Sequence, residues 1–264
     1  MLTAVKNQGK VTLLNIKYAL MREMLNKTTF ITNIVFMILN NASFIIQWII
    51  LYSIKDSVGG YTFKEVMLLW GIAAGTYGVS HFFFEKAYFL SDTITEGKLD
   101  VFLVQPKNVL LSAITSDVKT SALGDMLYGL IMCLVANLTL LQLFLFLFFC
   151  IMGGIILTSF AVILGSLSFW IQKADMVAET GNGLMTNFAT YPDGIFKGAV
   201  KVLLFTIVPV GMVNYIPIKL LVSFRLDLFL GIILFMILGI IIAYFIFYRG
   251  LKRYSSSNLM NARI

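Results

Sequence analysis

From Met126 to Gln172 the chain reads MLYGLIMCLVANLTLLQLFLFLFFCIMGGIILTSFAVILGSLSFWIQ, 47 residues without a single charge. A helix rises ~1.5 Å per residue and the hydrocarbon core of a bilayer is roughly 30 Å thick, so about 20 residues cross it. The window therefore holds two crossings and a tight turn. Asn137, Thr139 and Gln142 mark that turn, and the two helices are predicted over 118–137 and 143–171.

The same pattern continues on both sides. Upstream, Lys27 and Lys55 bracket 27 uncharged residues, Thr28 to Ile54, which predict a helix over 28–54. Glu65 and Glu85 bracket 19 more, Val66 to Phe84, inside a predicted helix over 65–90. Downstream, Leu228 to Tyr248 lies between Asp227 and Arg249 and predicts a helix over 227–248. Between Lys173 and Arg225 two readings stand. One takes the 17 uncharged residues between Lys201 and Lys219, which contain Pro209, Gly211, Asn214 and Pro217. Prolines there free backbone groups that neighbouring helices have to satisfy. The other takes 176–192, whose Thr180, Gly181, Asn182, Gly183 and Asn187 have to face protein or a water-filled cavity. Either choice adds one crossing. The total is six, with both termini on one side.

Composition agrees with an all-α polytopic membrane protein forming a single transmembrane domain over 1–264. Hydrophobic residues make up 59% of the 264 residues and charged ones 12%, and the mean hydropathy is +0.90. A soluble domain carries roughly 45–50% apolar and about 25% charged residues. This excludes an ordinary soluble enzyme, a disordered chain and a disulfide scaffold. The net charge of +7 speaks to topology and membrane lipid headgroups rather than to nucleic acid. Fourteen of the twenty basic residues fall on the side of the termini, and only Lys55 and Lys64 are clearly opposite. Cytoplasmic loops collect Lys and Arg, so the expected placement is multi-pass in the cell membrane with both termini cytoplasmic.

Before the first crossing, Val11, Leu14, Tyr18, Met21 and Leu25 recur at helical spacing, with Lys10, Lys17, Arg22 and Asn26 elsewhere. A basic amphipathic helix over 8–27 is expected to lie along the cytoplasmic leaflet. The first 27 residues hold no long apolar stretch, so a cleaved signal peptide is not expected. Cys133 and Cys150 sit inside apolar runs and read as small packing residues.

The chain has no G-x-x-x-x-G-K-[ST] phosphate cradle and no H-E-x-x-H. His81, the single histidine, stands one turn before Glu85 and reads as its polar partner near the membrane interface. Ser166, in Gly165-Ser166-Leu167-Ser168, would need a base within hydrogen-bond reach to serve an intramembrane protease, and His81 lies on another helix. The small residues Gly71, Gly75 and Gly78, with Gly153, Gly154 and Gly165, suit close helix packing within the subunit.

Two stretches carry a family resemblance. The first is Thr95-Glu96-Gly97-Lys98-Leu99-Asp100-Val101-Phe102-Leu103-Val104-Gln105-Pro106, followed by Leu123-Gly124-Asp125 at the next helix. The second is Tyr191-Pro192-Asp193, then Pro209 and Asn214-Tyr215-Ile216-Pro217. In order and spacing these resemble the small paired permeases of type-2 ABC exporters, although Asp193-Gly194-Ile195-Phe196 departs from the wording usual there.

The resemblance implies an interfacial elbow helix at 8–27 and a cytoplasmic coupling helix within 91–108. There Glu96, Gly97, Leu99, Asp100, Phe102, Leu103 and Pro106 would meet a separate ATPase. It also implies an extracellular re-entrant hairpin over 194–221, entered through Tyr191 and Pro192 and carrying Pro209, Asn214, Tyr215 and Pro217. That choice places the fifth crossing at 176–192. Independently of the resemblance, Gly97 can end one helix and Pro106 restart the next. Leu99, Phe102 and Leu103 could then anchor in a groove, with Glu96, Lys98 and Asp100 as a polar rim. The expected function is the permease subunit of an ATP-driven exporter of an unknown substrate. It would pair with a second permease, a copy or a related chain, and with two ABC ATPase subunits. This chain would bind no cofactor and no metal, ATP and Mg belonging to the ATPases. Helices 28–54, 65–90 and 176–192 would line the path. The alternative is a stand-alone membrane carrier or self-protection protein without an ATPase.

Overall fold

The computed structural model describes residues 2–171 and 174–255. Among them the architecture is all-helical, with one isolated bridge between Val58 and Tyr61. Helix α1 covers Leu2–Glu23 and α2 Lys27–Tyr52, the latter capped by Asn26, whose side chain accepts the Thr29 N–H at 3.1 Å. A turn through Gly59 (φ 59°) and Gly60 (φ 82°) reverses the chain, since both positions need a left-handed backbone. Helix α3 (Phe63–Phe84) then opens with a capping box, Thr62 and Glu65 each bonding the other's backbone N–H.

Three short helices follow, α4 (Leu90–Thr95), α5 (Asp100–Leu103) and α6 (Val109–Ile114). Next come α7 (Ser121–Val135) and α8 (Leu140–Ser166). The turn between them is where Asn137, Thr139 and Gln142 place it. Asn137 takes φ 49°, and Thr139 and Gln142 form a second capping box that starts α8. Helix α9 spans Ala174–Ala189, α10 Gly198–Thr206, α11 Ile216–Val222 and α12 Leu226–Leu251.

Four stretches are long and apolar enough to cross a membrane: α2, Phe63–Thr95, Leu140–Phe169 and α12. The segments Gly198–Thr206 and Gly211–Val222, bent by 75°, bring the total to five if taken as one span. The remaining elements α7 and α9 have 15 and 16 residues.

The predicted helix over 65–90 is interrupted at its end. Phe84 leaves helical geometry and a single 3₁₀ turn, Glu85–Ala87, follows. The break lets Tyr88 fold back, its hydroxyl 2.8 Å from Ser80 Oγ and its ring stacked 3.8 Å from His81. A straight helix would carry residue 88 two turns beyond both.

Helix α3 is the centre of the fold. In its apolar window 78% of residues are buried, against 11% in α2 and in α12, so these two sit at the periphery. The glycines explain the close packing. A Cβ on Gly75 would stand 2.5 Å from Cys150 Sγ, and one on Gly78 2.8 Å from the Ala122 carbonyl oxygen. Overlaps of that size would force the helices apart, so these glycines serve contacts inside the subunit. The main core gathers α3, α7, α8 and the α11 region. A second cluster, with Leu90, Ile94, Leu99, Leu110 and Phe247, closes the end that carries α4 to α6.

Candidate functional site

A cavity of about 490 Å³ opens between α2, α3 and α9, with α7 at one side. These first three are the helices that the sequence resemblance set along the path. Helix α2 contributes Asn40, Asn41, Phe44 and Gln47, and α3 Trp70, Thr76 and Tyr77. Helix α9 brings Asn182, Thr186 and Asn187, and Asn214 closes one end. The wall is thus rich in amides and aromatics. Phe44 stacks on Trp70 at 5.5 Å. Asp125 and Lys119 are the charged residues lining it. Asp125 is buried and accepts from Asn41 Nδ2 at 2.6 Å, while Lys119 lies 3.9 Å from Glu85. This amide contact ties α7 to α2.

His81 fulfils its sequence reading: Nδ1 lies 2.5 Å from Glu85 Oε2, both side chains nearly buried. Ser166 is fully buried, and its hydroxyl has no hydrogen-bond partner among the described residues. His81 is committed to Glu85, and among the described residues no base is bonded to Ser166.

At the end bearing α1, the segment 91–108 is folded onto the bundle. Gly97 follows α4 in a left-handed conformation (φ 72°), the helix-ending role its position suggests. Glu96 is exposed and paired with Lys98, and Pro106 is exposed. Leu99 is turned inward, fully buried in the second cluster, and Phe102 packs half-buried against that cluster. Asp100 accepts the Tyr254 hydroxyl at 2.9 Å, which lashes α5 to the end of α12. The groove-anchoring set expected from sequence is therefore rearranged. Residues 101 and 104 share a face opposite Leu99, as i, i+3 positions do, and the outward apolar residues are Val101, Leu103 and Val104. Gln8 of α1 also reaches this segment, accepting the Asn108 N–H at 2.9 Å.

At the opposite end, the hairpin residues finish α9. Asn214 Nδ2 donates to the Ala189 carbonyl and the Tyr215 hydroxyl to that of Phe188, each at 2.8 Å. These are last-turn carbonyls that α9 cannot satisfy itself. Pro192, Pro209 and Pro217 are buried, while Tyr191 is exposed beside the Trp48 ring. Asp193, 4% exposed, holds three elements together. Its carboxylate accepts the Tyr61 hydroxyl at 2.8 Å and pairs with Lys201 at 3.1 Å and Lys219 at 3.3 Å. Burial alone would push this carboxyl up, but the tyrosine and the two lysines outweigh it and hold it below the usual range.

One family model, described as ABC-2 family transporter protein, matches residues 17–258. The chain belongs to the ABC-2 transporter family. No curated protein and no solved structure gives a significant match. ABC-2 membership makes this chain a multi-pass membrane component of a transport system.

What sequence reading missed in this ABC-2 chain is the cavity itself. Asn40, Asn41 and Gln47 follow one another at spacings of 1 and 6 inside the charge-free window 28–54. That places them on one helical face. Amides carry no charge, so this face leaves no mark in the charge pattern that sets the spans.

Proposed function

We propose that the chain is the permease subunit of an ATP-driven exporter, worked by separate ATPase subunits that grip the 91–108 segment. The observation that carries this reading is the build of that segment. It is anchored inward by Leu99 and tied by Asp100 to Tyr254, yet it presents Val101, Leu103 and Val104 outward, Val104 at 84% exposure. A rigid contact with an apolar face is what an engine needs to push on, and a solvated loop would neither transmit force nor display such a face.

In this reading the chain crosses six times. Helices α7 and α9 are short, but their ends bond to the same two ends of the bundle as α2 and α3. Asn33 of α2 donates to Thr120 before α7, and Asn214 and Tyr215 close the far end of α9. Helix α1 is the interfacial elbow, its Tyr18 and Met21, with Leu25 in the turn just after it, left exposed for lipid. The segments Gly198–Thr206 and Gly211–Val222 form the re-entrant hairpin on the outer side, and both termini are cytoplasmic. Asn40 and Gln47 are exposed on the bare α2 beside Phe36, Leu39 and Ile46. Lipid is a poor partner for amides, so a second permease, identical or related, covers this face and shares the path. Two ATPase subunits bind ATP and Mg, and their closure biases the paired cavity between inward and outward access.

The test is affinity purification from a native host in mild detergent. Wild type is expected to bring down an ABC ATPase, and a Val101→Asp, Val104→Asp variant to accumulate normally and lose it. A variant that retains the ATPase overturns the reading, as does a wild type recovered without one under conditions that hold other ABC complexes together.

A further inference from the structure

We infer that the cavity between α2, α3 and α9 selects an amphiphilic organic cation of drug size; this rests on the reading of that cavity as part of the transport path. Three features point the same way. The volume of about 490 Å³ lies in the range that holds one such molecule. Its two charged residues are not equally engaged. Lys119 is engaged with Glu85, whereas Asp125 makes no ion pair among the described residues and receives only the neutral amide of Asn41. Its second carboxylate oxygen has no hydrogen bond among the described residues.

The rest of the wall suits the remainder of such a ligand. The stacked pair Phe44 and Trp70 offers π faces, which attract cations as well as apolar rings. Asn214 is fully buried, and its Oδ1 has no hydrogen-bond partner among the described residues. An acceptor left unpaired beside a cavity is costly unless a ligand or water donates to it. A ligand with a positive charge for Asp125, a flat apolar body for Trp70 and an N–H or O–H for Asn214 uses all three. An anion of the same size meets a carboxylate that Lys119 reaches only through space, without an ion pair, and is disfavoured.

The probes are ethidium, a flat cation bearing amino groups, and anilinonaphthalene sulfonate, an amphiphilic anion. Their fluorescence is titrated against the full chain in nanodiscs. Ethidium is expected to bind saturably, with affinity weakened about tenfold or more in Asp125→Asn and retained in Asp125→Glu. The anion is expected to be unaffected or improved by Asp125→Asn. The amide introduced in Asp125→Asn can still pair with Asn41, so the variant keeps the helix contact. Equal binding of ethidium by wild type and Asp125→Asn, or stronger binding of the anion by wild type, overturns the inference.

A separate readout guards the underlying reading. A Thr186→Cys variant is expected to react with a water-soluble thiol reagent, against a low background from the buried Cys133 and Cys150. Reaction of the introduced thiol without charge selectivity sinks the cation proposal alone; no reaction sinks the water-filled cavity and the inference with it.

Discussion

The Asp193 cluster is the clearest place to test how the hairpin is held. In Asp193→Asn the two lysine pairs are lost and the tyrosine bond becomes neutral. Lys201 and Lys219 are 45% and 50% exposed, so solvent screens each pair to about 1 kcal/mol or less. A hydrogen bond to a buried charge contributes about 1.5–3 kcal/mol and a neutral one about 1. The expected loss is about 2–3 kcal/mol, which for a chain of this size corresponds to a Tm lower by about 4–10 °C. Asp193→Ala leaves the Tyr61 hydroxyl buried without its acceptor and loses about 1 kcal/mol more. A thiol-reactive dye reads the transition in detergent, because both native cysteines are buried until the chain opens.

The pH arm has a definite sign. The folded Asp193 carboxyl is held below its ordinary value, so the folded state takes up a proton less readily than the unfolded one. Its stabilisation is complete above the ordinary carboxylate range and is lost as pH falls through the lower, folded value. Wild type should therefore lose Tm more steeply than Asp193→Asn below about pH 4. Losses in Tyr61→Phe and Asp193→Asn that simply add in the double variant would refute the cluster as a coupled unit.

Three further outcomes follow from the packing. Gly75→Leu drives a side chain into Cys150, and the overpacking should cost at least about 1–3 kcal/mol, read as reduced Tm or reduced yield. Thr62→Ala removes the capping box that starts α3 and should cost about 1 kcal/mol, read in the same assay. Leu99→Asp places a charge in the second cluster and should prevent accumulation of the chain, whereas Val101→Asp should accumulate at the wild-type level on a membrane-fraction blot.

The long helices were legible because lipid forbids charge over about 20 residues, a signal strong enough to place α2, α8 and α12 within a few residues. The turn at Asn137 was legible too, because a capping pair three residues apart is a local device. The fold-back of Tyr88 onto His81 was not, since it depends on a ring stacking across a broken helix, which no spacing rule encodes. In the 91–108 segment the sequence showed which residues are apolar but not which way they face. With one turn of helix there is no periodicity to read, and burial by Ile94, Leu110 and Phe247 decides that Leu99 points inward. The cavity stayed hidden because its amides lie on α2, α9 and the π-helical turn before α11, 174 residues apart in sequence from Asn40 to Asn214. Only the packing brings them together.

The central claim is that the motor is a different polypeptide seated on α5. A photo-cross-linking residue at Val104, with a control at Val202 on α10, tests it in intact cells. Both positions are exposed. The account predicts that Val104 captures an ATP-binding-cassette ATPase and Val202 does not. Capture by Val202 alone, or labelling of Val104 by a membrane-impermeant reagent added outside, would contradict it.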